Sequence, residues 1–270
     1  MNFRRVLGAV GLAALLSLLS SVASAQLGDN GGIVNSIHDL SIRAGAGTTD
    51  TCVFCHTPHG SDTTAAVPLW NKALPAGGTY AKYSTLGTST LDGTEAPNVG
   101  SVSLACLSCH DGVQAVDSVL NTPGRGMNAG PTGTLGVMTG TPVPVLGTDL
   151  TDDHPISIQY GGGGLNDTQV VGDNIGVALG DQDFNAPFSA DINTNRVWWV
   201  DTGATTGSRE KTDMILYSRD DLVAGQFEPF VECGSCHDPH NSTTYVAGQQ
   251  VSFLRIANDS SAVCTACHIK

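Results

Sequence analysis

Apolar residues are distributed unevenly along this chain. A nearly unbroken apolar stretch, VLGAVGLAALLSLLSS, follows Arg4 and Arg5, with small residues at Ala23 and Ala25. That order is the pattern of a secretory signal peptide over residues 1–25, with cleavage before Gln26. The stretch is shorter than a bilayer span requires and no cysteine follows it to carry lipid, so no membrane insertion is expected. Residues 26–51 read as an extended arm ending in RAGAGTTD. Further on, Val113, Val116 and Leu120 recur at helical spacing and predict one short helix through 104–120, stopped by Pro123 and Gly124. The segment from there to about residue 150 is rich in glycine, proline and threonine and reads as turn and loop. In NRVWWVD and DMILYS the pattern becomes strand-like, which predicts a small antiparallel sheet of one or two hairpins within 165–232. Strand-like runs also surround His154 and occur in VSFLRI, extending the β-prone region over 150–260.

Composition adds a constraint on the core. With 33 glycines and only 6% aromatic residues, the chain offers many turns and few large side chains for an ordinary interior. Once Arg4 and Arg5 leave with the signal peptide, ten basic residues face 25 acidic ones, a formal charge of −15. Such a surface excludes nucleic acid and anionic lipid as partners.

The cysteines carry the chemistry. Cys52, Cys55, Cys106, Cys109, Cys233, Cys236, Cys264 and Cys267 form the motifs CVFCH, CLSCH, CGSCH and CTACH. Positions i, i+3 and i+4 share one face of a helical turn, so two thiols meet the vinyl groups of a porphyrin while the next imidazole reaches its iron. A disulfide framework would not need His56, His110, His237 and His268 in the same relative place. Zinc sites do not require an adjoining histidine after every cysteine pair. Four covalently bound haem c groups are the cofactors this pattern predicts. Four porphyrins would also fill an interior that is short of large side chains.

Four histidines then remain: His38, His59, His154 and His240. Four spare imidazoles for four irons predict bis-histidine ligation throughout and leave no open position for a substrate, so an enzyme is not expected. His59 and His240 lie in a repeated decapeptide, CVFCHTPHGS and CGSCHDPHNS. Three extended residues span roughly 10 to 11 Å at most. Two imidazoles on opposite sides of one iron need α-carbons about that far apart, with bonds near 2 Å. A backbone turning at Pro58 or Pro239 falls short, so each decapeptide should lend its second histidine to a neighbouring haem. By chain order His59 would serve the haem at Cys106 and Cys109, and His240 the one at Cys264 and Cys267. His38 and His154 would then complete the haems of His56 and His237. Met127, Met138 and Met214 read as packing groups, as do Trp70, Tyr80 and Tyr83. Asp149, Asp152 and Asp153 read as a solvated acidic turn, since their spacing fits no calcium loop.

The segments CVFCHTPH, PLWN, CLSCHDG, DHPIS, CGSCHDPH, FLRI and CTACH resemble, in order, the tetrahaem c-type cytochromes with paired motifs. Among these the chain is most similar to the OmcE-type extracellular cytochrome filament subunits. That resemblance implies a multihaem cytochrome fold, mostly loop and turn around a haem core, with few short helices at the motifs. It implies one domain over 26–270, in which 38–123 holds the first two haems, 124–232 is a loop and β insert, and 233–270 holds the last two. It implies metal ligands at His56, His110, His237, His268, His38, His59, His154 and His240, with His38 on the exposed arm as the ligand that would cross to the next subunit. The implied activity is electron transport in a conductive extracellular filament, a nanowire, whose partners are other copies of the chain, redox partner cytochromes or external acceptors. A monomeric periplasmic shuttle of the cytochrome c3 kind is the alternative, although about 61 residues per haem is much peptide for a compact shuttle.

Overall fold

A computed structural model describes residues 32–122, 134–140, 145–169, 172–173, 178–203, 205–241 and 253–269. The signal peptide, Met127 and most of the glycine-rich 124–150 stretch lie outside the described residues.

Six strands make one antiparallel sheet: β1 (Ile158–Gln159), β2 (Gly172–Asp173), β3 (Phe188–Ile192), β4 (Asn195–Val200), β5 (Met214–Arg219) and β6 (Glu228–Val231), in spatial order β1-β6-β5-β4-β3-β2. Asn193 and Thr194 make the β3–β4 turn, both at positive φ (49° and 67°), the conformation that a two-residue hairpin needs to follow the strand twist. The register sets Trp198 opposite Leu216 and Val200 opposite Met214. These four join Tyr160, Leu165 and Leu179 in one buried cluster. The other face of the pair is covered as well: Trp199 and Ile215 are buried, and Phe188 stacks on Trp199 at 6.0 Å.

The helices are short. Helix α1 (Ser101–His110) contributes Leu104 and Leu107 to a second cluster with Tyr80, Val99 and Leu150. Helix α2 (Cys233–Cys236) packs on β5 and against α1, while α3 (Ala262–Cys267) lays Val263, Ala266 and Cys267 on the sheet's core. Gly234 permits the first of these contacts, because a Cβ there would collide with the Tyr217 hydroxyl and crowd Val102. The helix expected over 104–120 stops at His110. Beyond it Gly112 turns at φ 71°, and Asp111 accepts the Val113 amide at 2.8 Å, closing an Asx turn. Val113 and Leu120, whose spacing suggested a helical face, are exposed.

The expected fold class is corrected by this sheet. A chain mostly of loop and turn around a haem core, with a small β element, does not describe a six-stranded antiparallel sheet with a side-chain core of its own. A low average aromatic content concealed its distribution: all three tryptophans, Trp70, Trp198 and Trp199, are buried, two of them adjacent in one central strand. Concentrated there with Met214, Leu216 and Tyr160, they supply the interior that the averages appeared to lack.

Candidate functional site

Each Cys-x-x-Cys-His segment is a single helical turn that ends at its histidine. The first is a 3-10 turn over Thr51–Phe54, the second forms the end of α1, and the third and fourth are α2 and α3. The amides of His56, His237 and His268 donate to the carbonyls of Cys52, Cys233 and Cys264 at 2.8, 3.0 and 2.9 Å. That bond brings each imidazole round to the side of its cysteines.

Three of the four segments are held by the same backbone clamp. After the first motif, the Thr57 amide donates to Leu69 and the Asn71 amide donates back to Cys55, both at 2.8 Å, around a His56–Trp70 bridge. After the third, Asp238 donates to Phe253 and Arg255 to Cys236, around His237–Leu254. After the fourth, Ile269 donates to Asp183 and Asn185 to Cys267, around His268–Phe184. Leu69 and Phe253 share an unusual positive φ, 58° and 60°, so the internal duplication includes PLWN and SFLR as well as the decapeptides. The clamp at 183–185 carries no such sequence signal, and reading the sequence missed it. The second motif is held differently, through the Leu146 amide on the His110 carbonyl at 2.7 Å.

The histidines come together in twos. Ring centres lie 6.2 Å apart for His38 and His110, 6.1 Å for His56 and His240, and 6.5 Å for His154 and His268. Two metal–nitrogen bonds of about 2 Å, plus roughly 1 Å from each nitrogen to its ring centre, come to about 6 Å. The spacing therefore fits one metal atom between the rings of each pair. Among the described residues no three His, Cys, Asp or Glu side chains gather as a metal cage.

These pairs correct the order read from the chain. His240 faces His56, not His268, and His154 faces His268 in its place. His38 faces His110 of its own chain and packs on Phe253 at 4.3 Å, which removes the argument that the arm carries it to another subunit. His59 and His237 are both exposed.

Hydrogen bonds prepare several rings for ligation. His56 Nδ1 lies 2.7 Å from the Pro68 carbonyl and His154 Nδ1 3.0 Å from that of Pro155. A carbonyl cannot donate, so Nδ1 carries the proton and Nε2 keeps its lone pair for a metal. His240 Nδ1 meets the Asp238 carboxylate at 3.3 Å. Burial pushes Asp238 upward, but His240 and Arg255 more than offset it, holding that carboxyl at about 2. Burial, and then the neighbouring His110, lower His38 to about 4, which keeps it in the neutral form that binds metal. The Nδ1 atom of His38 is buried without a hydrogen-bond partner.

No disulfide joins any of the eight cysteines. Burial pushes Cys55 and Cys267 up to about 12, and raises Cys109 and Cys236. Such thiols are poor nucleophiles, unlike catalytic cysteines. The motifs adjoin one another in chain order: Cys55 is an electrostatic neighbour of Cys109, Cys106 of Cys233, and Cys236 of Cys264 and Cys267. Between the second and third motifs lies a buried polar hub. The Glu232 carboxylate accepts Arg219 at 2.6 Å, Ser103 of α1 at 2.5 Å and Ser157 at 3.1 Å, while its own amide donates to Ser235 of α2 at 3.0 Å. Burial raises Glu232, against the pull of Arg219 and the two serines.

The remaining candidates behave as packing or turn groups. Met214 sits in the sheet core, Trp70 packs edge-on to His56, and Tyr80 donates to Asp111 at 2.9 Å. Asp149 caps a turn through the Thr151 amide and hydroxyl. Compared with known proteins, the chain matches no family model and no curated protein.

Proposed function

We propose that this chain carries electrons through four c-type haems, each joined to one Cys-x-x-Cys-His segment and ligated by two histidines. The observation that carries the reading is the set of three histidine pairs spaced 6.1 to 6.5 Å apart, each containing the histidine of one motif and one of the four spare histidines. A haem held in this way supplies one reversible electron at its iron.

The chain's own part is to hold and to exclude. The clamps fix the backbone on either side of three motif histidines, and the carbonyls of Pro68 and Pro155 fix the tautomer of His56 and His154. Two imidazoles per iron leave no vacancy for a substrate, which favours conduction over catalysis. Neighbouring thiols in chain order support transfer from one motif to the next.

The resemblance extends this to a secreted subunit of an extracellular filament, donating to external acceptors. Closure of three ligand pairs within one chain also suits the monomeric shuttle, since such a unit needs no neighbour to complete them. An intact mass of the secreted protein equal to the polypeptide plus four haems, with a low-spin Soret spectrum, is the expected result; the mass of the bare chain would refute the reading. Electron microscopy of the same material separates filament from monomer.

A further inference from the structure

Lys72 is fully buried. Its Nζ donates to the carbonyls of Ala115, Val116 and Ser118 at 2.9, 3.4 and 2.8 Å. Three acceptors call for three N–H donors, and only the ammonium form has them. No carboxylate forms an ion pair with it among the described residues. Asp117 and Asp111 act on it only through space: Asp117 accepts the Leu135 amide at 3.1 Å, and Asp111 accepts the Tyr80 hydroxyl at 2.9 Å. The neighbouring Asn71 is tied to the first motif through its amide on the Cys55 carbonyl and its side chain on that of Val53. The ammonium thus stands between the first motif and the segment that leaves the second, and it is an electrostatic neighbour of both Cys55 and Cys109.

We propose that Lys72 is a fixed buried cation that raises the reduction potential of the haems carried by the first two motifs. The proposal rests on the haem reading given above. Reduction brings one electron from a redox mediator to an iron and lowers the local positive charge by one. A buried cation is screened little by solvent, so it stabilises the reduced form more than the oxidised one. Lys72 is a positioning residue here, acting through its charge without touching the iron.

The test is spectroelectrochemical titration of the haem-loaded full chain, with Lys72→Gln, Lys72→Met and Lys72→Arg beside the wild type. The expected result is that Gln and Met each shift the reduction equilibrium of two of the four haems at least tenfold toward the oxidised form, about 59 mV for one electron. The other two stay in place, and Arg, which keeps the charge, restores wild-type values. Unchanged potentials in a fully loaded Gln or Met variant overturn the proposal, and so does an equal shift of all four haems. Failure of both neutral variants to take up haem, while Arg loads normally, reveals a purely structural cation and also overturns it. A wild-type chain without haem sinks the functional reading itself, an outcome visible in the mass before any potential is measured.

Discussion

Replacing Arg219 by methionine isolates the hub that joins the second and third motifs. Arg219 Nη1 meets Glu232 at 2.6 Å, with the two side chains 12% and 1% exposed, so the substitution strands a carboxylate in the interior. Breaking a buried pair in this way costs about 3 to 5 kcal/mol. The Ser103 and Ser157 hydroxyls still donate to Glu232, and Asp221, already 32% exposed, is left to water. The loss should therefore fall at the low end, about 3 kcal/mol at neutral pH.

The pH dependence makes the argument sharper. Burial already raises Glu232 in the folded chain, and without Arg219 it rises further. A carboxyl raised on folding contributes fully below its unfolded value of about 4.3 and loses that contribution as pH climbs through the folded value. The variant should thus lose little near pH 4, where the carboxyl is mostly protonated in both states, and the full amount at neutral pH. Urea unfolding of the haem-loaded protein at both pH values measures the two deficits. A deficit equal at both, or larger in acid, refutes the reasoning. The double variant Arg219→Met with Glu232→Gln removes both charges and should recover most of the loss; if it is as unstable as the two single losses added together, the two side chains are not coupled.

Three further outcomes follow from the site and the sheet. Denatured in reductant and treated with iodoacetamide, the purified protein should take up no label on any of its eight cysteines, because the proposed thioether links leave no thiol to alkylate; eight labels would mean free or disulfide-linked cysteines. His240→Met should raise the potential of one haem in four, and that haem should be the one lost when Cys52 and Cys55 are both replaced by serine; loss with Cys264 and Cys267 instead would break the His56–His240 assignment. Trp198→Ala, at a fully buried site, should cost about 3 to 5 kcal/mol by denaturant unfolding, and a loss under about 1 kcal/mol would contradict the sheet core described here.

What could be read from the chain, and what could not, follows from the range of the interactions. NRVWWVD and DMILYS declared themselves as β4 and β5 because pairing partners so near in sequence leave a local pattern. The size of the sheet was hidden: β1 and β6 pair across about 70 residues, and β2 and β1 are two residues each, too short to show an alternation. Helix α1 was misplaced because Val113 and Leu120 keep helical spacing in an exposed turn that Asp111 and Gly112 enforce. The eight histidines could be counted but not paired. Pairing depends on which segments the fold brings face to face, and chain order did not anticipate the ring pairs that His38, His154 and His240 make.

The clamps suggest why a sheet and four Cys-x-x-Cys-His segments belong in one chain. A Cys-x-x-Cys-His turn of four to six residues is too short to hold its own geometry, since helix nucleation is costly. Each clamped motif therefore borrows order from elsewhere. The fourth is tied to Asp183 and Asn185, just before β3, and lays Cys267 on the core around Trp198. The third begins where β6 ends, with Glu232 and Ser235 reciprocally capping α2. Its glycine admits Tyr217 of β5, a contact that any side chain at 234 would push apart. The first is fixed by Asn71, whose side chain reaches the carbonyls of Val53 and Asn121 and so joins the segments that leave the first and second motifs. The sheet's core around Trp198 and Met214 thus fixes the positions of the third and fourth motifs. The first two motifs pack in clusters of their own around Phe54 and Leu107 and share the Asn71 and Lys72 bonds, which makes 71–72 the place where a single substitution should disturb two motifs together.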